Sequence, residues 1–211
     1  MNCCRFLPLA LLGLALWITP QFLHSNEPTP APKDEPKAQK ADDKETQDRE
    51  PDVVYWPTPQ NVVDKMLEMA QVKKEDIVYD LGCGDARILV TAAKKYGCKG
   101  YGWDINPVRV KESLENVKTN KVEDLVTVKK GDIFKLDLKE ASVVTLYLLP
   151  ELNVRLMPQL EKLKPGSRIV SHDFDMKGAK PKETVTLKAK NHMGIEGEHK
   201  IYLWVVPWEK E

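Results

Sequence analysis

From Asp52 onward, short apolar runs alternate with stretches whose apolar residues recur at helical spacing. NVVDKMLEMA sets Val62, Val63, Met66, Leu67 and Ala70 on one face of a helix. DIVYDLG then reads as a buried strand, ARILVTAAKKY as a helix packed on it, and CKGYGWDI as a second strand. Asn106 is placed to cap a helix with Pro107 in its first turn, and Val110, Leu114 and Val117 form its inner stripe. LVTVKKGD, SVVTLYLL and SRIVSHDF supply three more strands, the last introduced by the Pro165-Gly166 turn. Leu152, Leu156, Leu160 and Leu163 mark a helix before that last strand, which Pro158 should kink or delay. Alternation of this kind predicts an α/β fold: a Rossmann-like doubly wound sheet, mostly parallel, with helices on both sides.

The pattern changes after Phe174. Only about ten residues precede the strand-like TVTLKA, fewer than a parallel crossover needs. Thr184 to Ala189 and Ile201 to Val206 are therefore expected to form an antiparallel ribbon at the carboxyl-terminal edge.

The amino-terminal 51 residues break with this pattern. Residues 1–25 hold one early cation, Arg5, and an apolar run from Phe6 to Ile18, a length that suits a signal-peptide core better than a bilayer-spanning helix. Leu23 spoils the small-x-small pattern before a cut after Ser25, so an uncleaved anchor stays open beside a signal peptide, with membrane association through residues 6–23. Either reading predicts an exported or membrane-anchored protein of the cell envelope, and an anchor leaves room for a domain that faces the cytoplasm. Residues 26–51 contain no aromatic residue and no Val, Ile, Leu or Met, which predicts a disordered linker rich in proline and charge. The folded domain is expected over 52–211.

Composition adds an exclusion. Lys and Arg together number 32 and so do Asp and Glu, so net charge offers no attraction to a polyanion, and no nucleic-acid partner is expected. His172, His192 and His199 lack the sequence spacing of metal ligands, no cysteine pair resembles a zinc knuckle, and no metal is expected. Cys83 and Cys98 belong to opposite ends of neighbouring parallel strands, beyond disulfide reach.

The chemistry concentrates where DLGCGDA joins the first strand to its helix. Gly82 and Gly84 allow a ligand to approach the backbone, and the helix N-terminus offers free N–H groups to an anion. Arg87 stands where a dinucleotide fingerprint wants its third glycine, and Gly-Lys-Ser/Thr of a P-loop is missing. What remains is acid-x-Gly-x-Gly, as Asp80, Gly82 and Gly84.

That pattern resembles the first motif of the class I, seven-β-strand, S-adenosylmethionine-dependent methyltransferases, and the match continues along the chain. The resemblance implies S-adenosyl-L-methionine as cofactor, its methionine part over the glycine turn and its ammonium near Asp80. It also implies that Asp104, twenty-two residues after Gly82, accepts from the ribose hydroxyls. Asp132 would accept from the adenine amino group, with Ile133 as an apolar platform. Ala86 stands where the family has a further glycine.

YWPTPQNVVDKML and TLYLLPELNVRLMPQLEKLKPGSRIVSHDF narrow the resemblance to the lysine methyltransferases that modify mitochondrial membrane carriers and the membrane-ring protein of ATP synthase. This similarity spans about residues 54–206. It implies a protein-lysine acceptor entering after the fourth strand, where Tyr147 would form an aromatic wall and Glu151 would orient the amine or take its proton. Tyr55 and Trp56 would close the opposite wall, and His172, Asp173 and Asp175 are further candidates. A non-catalytic binding module that keeps the cofactor pocket, and a small-molecule methyltransferase, remain alternatives.

Overall fold

The computed structural model describes residues 50–211. The amino-terminal apolar segment and most of the proline-rich stretch, with the signal, anchor and linker readings made on them, lie outside those residues. No helix among the described residues is long and apolar enough to cross a membrane.

Each predicted strand and helix forms close to its expected place. Helix α1 covers Gln60–Met69, strand β1 Ile77–Leu81, α2 Arg87–Tyr96, β2 Lys99–Asp104, α3 Pro107–Thr119 and β3 Val126–Lys130. Strand β4 covers Val143–Leu146, α4 Pro150–Leu160 and β5 Arg168–His172. A 3-10 turn, Ile133–Lys135, follows β3. After β5 come β6 Ala179–Lys180, β7 Glu183–Lys190, β8 Glu196–Val205 and β9 Glu209–Lys210.

The main sheet has the order β3-β2-β1-β4-β5-β8-β7. The first five positions are parallel, and β8 is antiparallel to both neighbours. The expected carboxyl-terminal ribbon is present with its later strand on the inside. Residues 173–182 step over the place that β8 fills, so the chain needs no helical crossover there.

Alternation along the strands divides the core between two faces. Val78, Val143, Val170 and Ile201 face α1, α2 and α3, whereas Leu81, Leu146, Ile169 and Trp204 face α4 and the 3-10 turn. Two local expectations need correction. Leu114 is half-exposed, and Ser113 takes the inner face of α3 between Val110 and Val117, because α3 packs against the polar backbone of the glycine turn. Pro158 does not delay α4, which starts on Pro150 at its first turn and runs two residues past Pro158; a proline in the last turn removes only one ladder bond.

The amino-terminal end of the sheet is tied by ions. Arg168 donates to Asp76 Oδ2 at 2.6 Å and to the Ala70 carbonyl at 2.9 Å, while Ser142 donates to Asp76 Oδ1 at 2.7 Å. Burial pushes the Asp76 carboxyl up, but the bonds from Ser142, Arg168 and the Lys73 amide outweigh it and hold it below the usual carboxylate range. That leaves the opposite, carboxyl end of the parallel strands as the place where loops are free to bind.

Candidate active site

Strand order reverses between β1 and β4, and a crevice opens at the carboxyl ends of those two strands, as is general for open α/β sheets. The cleft there encloses about 950 Å³, counted out into the open solvent at its mouth. Asp80, Gly82, Asp104, Asp132, Ile133, Tyr55 and Tyr147 all line it.

The floor is the glycine turn. Gly82 and Gly84 have φ of 81° and 57°, the left-handed region that glycine enters without cost. A Cβ on Gly84 would collide with the Tyr55 ring, and one on Gly82 would press on Leu148 at 3.0 Å. Ala86, where the resemblance implied a glycine, also has a left-handed φ, 60°, and serves as N-cap of α2 without a side-chain bond. The turn is therefore held from outside: Ser113 Oγ donates to the Gly84 carbonyl at 2.6 Å and Asn116 Nδ2 to the Asp85 carbonyl at 2.8 Å.

Asp80 is buried at the end of β1, in register with Thr145 of β4, whose hydroxyl donates to its Oδ1 at 2.6 Å. Burial pushes its carboxyl up to about 7 against that bond, and nearby Asp85 and Asp104 add to the push. A buried acid whose charged neighbours are acids suits a cationic ligand group such as an ammonium. Asp104, at the end of β2, accepts from the Gly84 N–H at 3.0 Å through Oδ2 and from the Asn106 N–H at 2.9 Å through Oδ1. A carboxylate oxygen accepts more than one bond, so Asp104 can also accept from a vicinal diol. Burial raises its carboxyl despite backbone bonds from Asn106, Gly84 and Ile105 and the nearby Arg109. Asp132 is buried and accepts from the Phe134 N–H at 3.0 Å, which starts the 3-10 turn and sets Ile133 on the cleft. Three acids and Gly82 thus share one cleft, and their chemistry fits the cofactor that the sequence pattern implies; Gly84, expected beside them, is covered by the Tyr55 ring and is not among the lining residues.

Residues before α1 wall the same cleft. Tyr55 lies over Gly84 with the Arg109 guanidinium 4.6 Å from its ring centroid. Burial and then Asp85 push its phenol up to about 12. Arg87 Nε and Nη2 grip Asp85 at 2.9 and 2.6 Å, and Arg87 Nη1 donates to the Thr58 carbonyl at 3.0 Å, so α2 ties this segment to the turn.

At the other end, Tyr147 follows β4 and packs against His172 at a tilt of 33°, centroids 3.9 Å apart, with the Phe174 ring stacked at 6.0 Å. Burial and Asp173 push its phenol up to about 12, so it stays neutral. Glu151 is exposed in the first turn of α4 and is not among the residues that line the cleft; its neighbour Leu152 is. An acid in the first turn of a helix is favoured there by the backbone N–H groups alone.

Against known proteins, residues 80–183 match the model of the ANTKMT methyltransferase domain. A protein-lysine N-methyltransferase of Saccharolobus islandicus is 47% identical over 158 residues, which cover 74% of this chain and 95% of that protein. The chain belongs to the ANTKMT methyltransferase family. An RNA methyltransferase of Salinibacter ruber, crystallised with S-adenosyl-L-homocysteine, superposes with a TM-score of 0.66 at 47% identity, covering 72% of this chain and 95% of that one. A lysine N-methyltransferase of Rattus norvegicus, named for its action on ATP synthase, is 29% identical over 125 residues, 57% of this chain and 55% of that protein. Fold, cleft and kinship make this chain an S-adenosylmethionine-dependent methyltransferase.

Within this ANTKMT-family site, several residues that act on the turn from a distance escape sequence reasoning. Thr145, Ser113, Asn116 and Arg109 carry no motif, and only the spacing of α3 relative to the turn hints at the middle two. His199 has no ligand-like spacing to His172 in the sequence, yet β8 brings its Nδ1 to 2.8 Å from His172 Nε2. His172, Asp173 and His199 converge as a group behind Tyr147.

Proposed function

We propose that this methyltransferase acts on lysine side chains of a protein. The observation that carries the proposal is that Tyr147, Leu148, Leu152 and Trp56 line the same cleft as the three acids and give it apolar, aromatic walls. An ammonium entering such walls is desolvated and loses its proton more readily, and the neutral amine is the form that reacts. In our reading Asp80, Asp104 and Asp132 hold the ammonium, ribose and adenine of the cofactor, Gly82 admits its backbone-hugging part, Gly84 makes room for the Tyr55 ring, and Ile133 and Tyr55 flank the cofactor. When bound, the cofactor would supply an electrophilic methyl group to the neutral amine that these walls hold. Tyr147 orients the acceptor as a neutral wall. The exposed Glu151 carboxylate attracts the lysine cation toward the mouth, a lesser role than proton acceptor. Catalysis then rests on alignment and water exclusion, and no covalent enzyme intermediate is called for.

The 47% identity to a named protein-lysine N-methyltransferase supports this reading. RNA is the second reading, favoured by the name of the Salinibacter ruber protein. Purified chain with labelled S-adenosylmethionine, offered separately protein and RNA fractions, decides between them. Label in protein that survives nuclease and maps to lysine upholds the proposal, while label confined to RNA or to small molecules overturns it. The apolar run at residues 6–18 supports attachment at a membrane. Fractionation of chains with and without residues 1–25 tests that, and equal recovery in the soluble fraction rejects it.

A further inference from the structure

Sheet register brings together three residues that are spread over 28 positions of sequence. His172 ends β5 and Asp173 follows it, while Ile201 of β8 lies opposite His172, so His199 arrives two residues along the antiparallel partner. The ladder extends one step further, since the Asp173 N–H donates to the Lys200 carbonyl at 2.7 Å. Asp173 adopts a left-handed backbone, φ 58°, which turns its side chain back toward the two rings and which Asp and Asn tolerate better than other residues.

The three side chains point one atom each at a common centre. His172 Nε2 and His199 Nδ1 are 2.8 Å apart, His199 Nδ1 and Asp173 Oδ2 are 3.1 Å apart, and His172 Nε2 and Asp173 Oδ2 are 3.2 Å apart. Two of the outward atoms already have partners: Thr58 Oγ1 sits 3.2 Å from His172 Nδ1, and the Lys200 N–H donates to Asp173 Oδ1 at 2.8 Å. The Thr58 hydroxyl can accept from His172 Nδ1 or donate to it, so His172 Nε2 carries a lone pair or a proton accordingly. Whichever neutral tautomers the two imidazoles adopt, at least one edge of the triangle sets lone pair against lone pair or proton against proton. A cation at the centre satisfies all three.

The dimensions agree with that solution. Ligands about 2.1 Å from a tetrahedral ion stand about 3.4 Å from one another, so the triangle needs to open by only a few tenths of an ångström along two edges and by about 0.6 Å along the third. Outer-sphere bonds that fix the ring and the carboxylate, here from Thr58 and Lys200, are the usual companions of metal ligands. Two imidazoles and a carboxylate suit zinc-like transition ions rather than magnesium or calcium, which prefer all-oxygen sets. His172 is wholly buried, but the His199 and Asp173 side chains keep 12% and 26% of their exposure, which gives an ion a way in.

The geometry points to a divalent transition-metal site of the zinc class, held by His172 Nε2, His199 Nδ1 and Asp173 Oδ2. It lies behind Tyr147 and Thr58 rather than on the cleft wall, so the ion clamps β5 to β8 and fixes the His172 ring against Tyr147 instead of acting on the substrate. The site stands whatever the methyl acceptor proves to be.

Metal titration tests it. The full chain, stripped with a chelator and kept reduced, is titrated with zinc, and with cobalt to follow its visible spectrum, beside His199→Gln and Asp173→Asn. The second variant preserves the left-handed backbone preference, so it decides the matter if His199→Gln folds poorly, as judged by circular dichroism. The expected result is one more equivalent bound by the wild type than by either variant, a cobalt spectrum of nitrogen and oxygen ligands that the variants lack, and a metal-dependent rise in the wild-type melting temperature. At that site the variants should lose affinity by about tenfold or more. Cys3, Cys4, His24 and His192 are common to all three proteins, so any binding there cancels in the comparison. Equal binding by wild type and variants, or none by the wild type, overturns the proposal.

Discussion

Replacing Asp80 by Asn should make the folded protein sturdier and the enzyme worse, and the two effects have different pH signatures. In the fold the Asp80 carboxyl titrates near about 7 instead of 3.8, chiefly because it is buried. An acid whose folded pKa is raised binds a proton in the native state that the unfolded chain releases, so stability falls as pH climbs from about 4 to about 7 and levels off above. A shift of about three units corresponds to about 4 kcal/mol in full. Because the carboxylate faces a cleft that water reaches, we expect about half, roughly 2 kcal/mol. Asn keeps the shape and can still accept from Thr145, but it carries no charge at any pH. Denaturant unfolding of wild type and Asp80→Asn, without added cofactor, should give curves that nearly coincide close to pH 4 and separate in favour of the variant by pH 8. Calorimetry at pH 8 should show S-adenosylmethionine binding weakened by about 1.5–3 kcal/mol, the worth of a hydrogen bond to a charged group. A stability gap that stays constant with pH, or normal cofactor affinity in the variant, would refute the reasoning.

Asp104→Ala should weaken cofactor binding by about tenfold or more while costing about 1–2 kcal/mol of stability, because the Gly84 and Asn106 amides lose their acceptor. Titration calorimetry and melting read the two effects, and unaltered affinity would remove Asp104 from the ribose role. Gly84→Ala should cost about 1–2 kcal/mol for its left-handed backbone, plus the clash with Tyr55. Tyr55→Ala in the same chain should recover only the clash, which a double-mutant cycle in urea would expose. Arg168→Met should destabilise by about 1.5–3 kcal/mol, since Asp76 loses its cation but keeps the bonds from Ser142 and the Lys73 amide, yet leave the affinity of what remains folded unchanged. Loss of cofactor affinity in that variant would mean that the two ends of the sheet are coupled.

The parts of this site that can be read along the chain are those that repeat a local rule. Strand ends followed by acids and glycines are such a rule, and Asp80, Gly82, Asp104 and Asp132 all gather at the cleft from positions that the alternation of apolar and polar residues assigns to strand ends, with Gly84 just beneath the Tyr55 ring. Residues that depend on which strand lies beside which are not legible. Thr145 touches Asp80 only because β1 and β4 are neighbours at a given register, and His199 meets His172 only because β8 slides between β5 and β7. Ser113 misleads in another way. Helical periodicity favours the apolar Leu114 for the inner face, but the surface that α3 covers is a turn with carbonyls to satisfy, so a hydroxyl is better buried there than a leucine. Glu151 draws notice by its proximity to β4 in sequence, and one residue of helical rotation is enough to carry it from the cleft to solvent.

The position of β8 also bears on how the molecule is made. β5 precedes in sequence the strand that covers its free edge, and β7 bonds only to that same strand, so until β8 docks the chain presents an unzipped hydrogen-bonding border along β5. Any extended segment that finds this border first, including the same segment of another copy, competes with the rightful occupant, which makes the docking of β8 the folding step in which this enzyme is most exposed to mispairing.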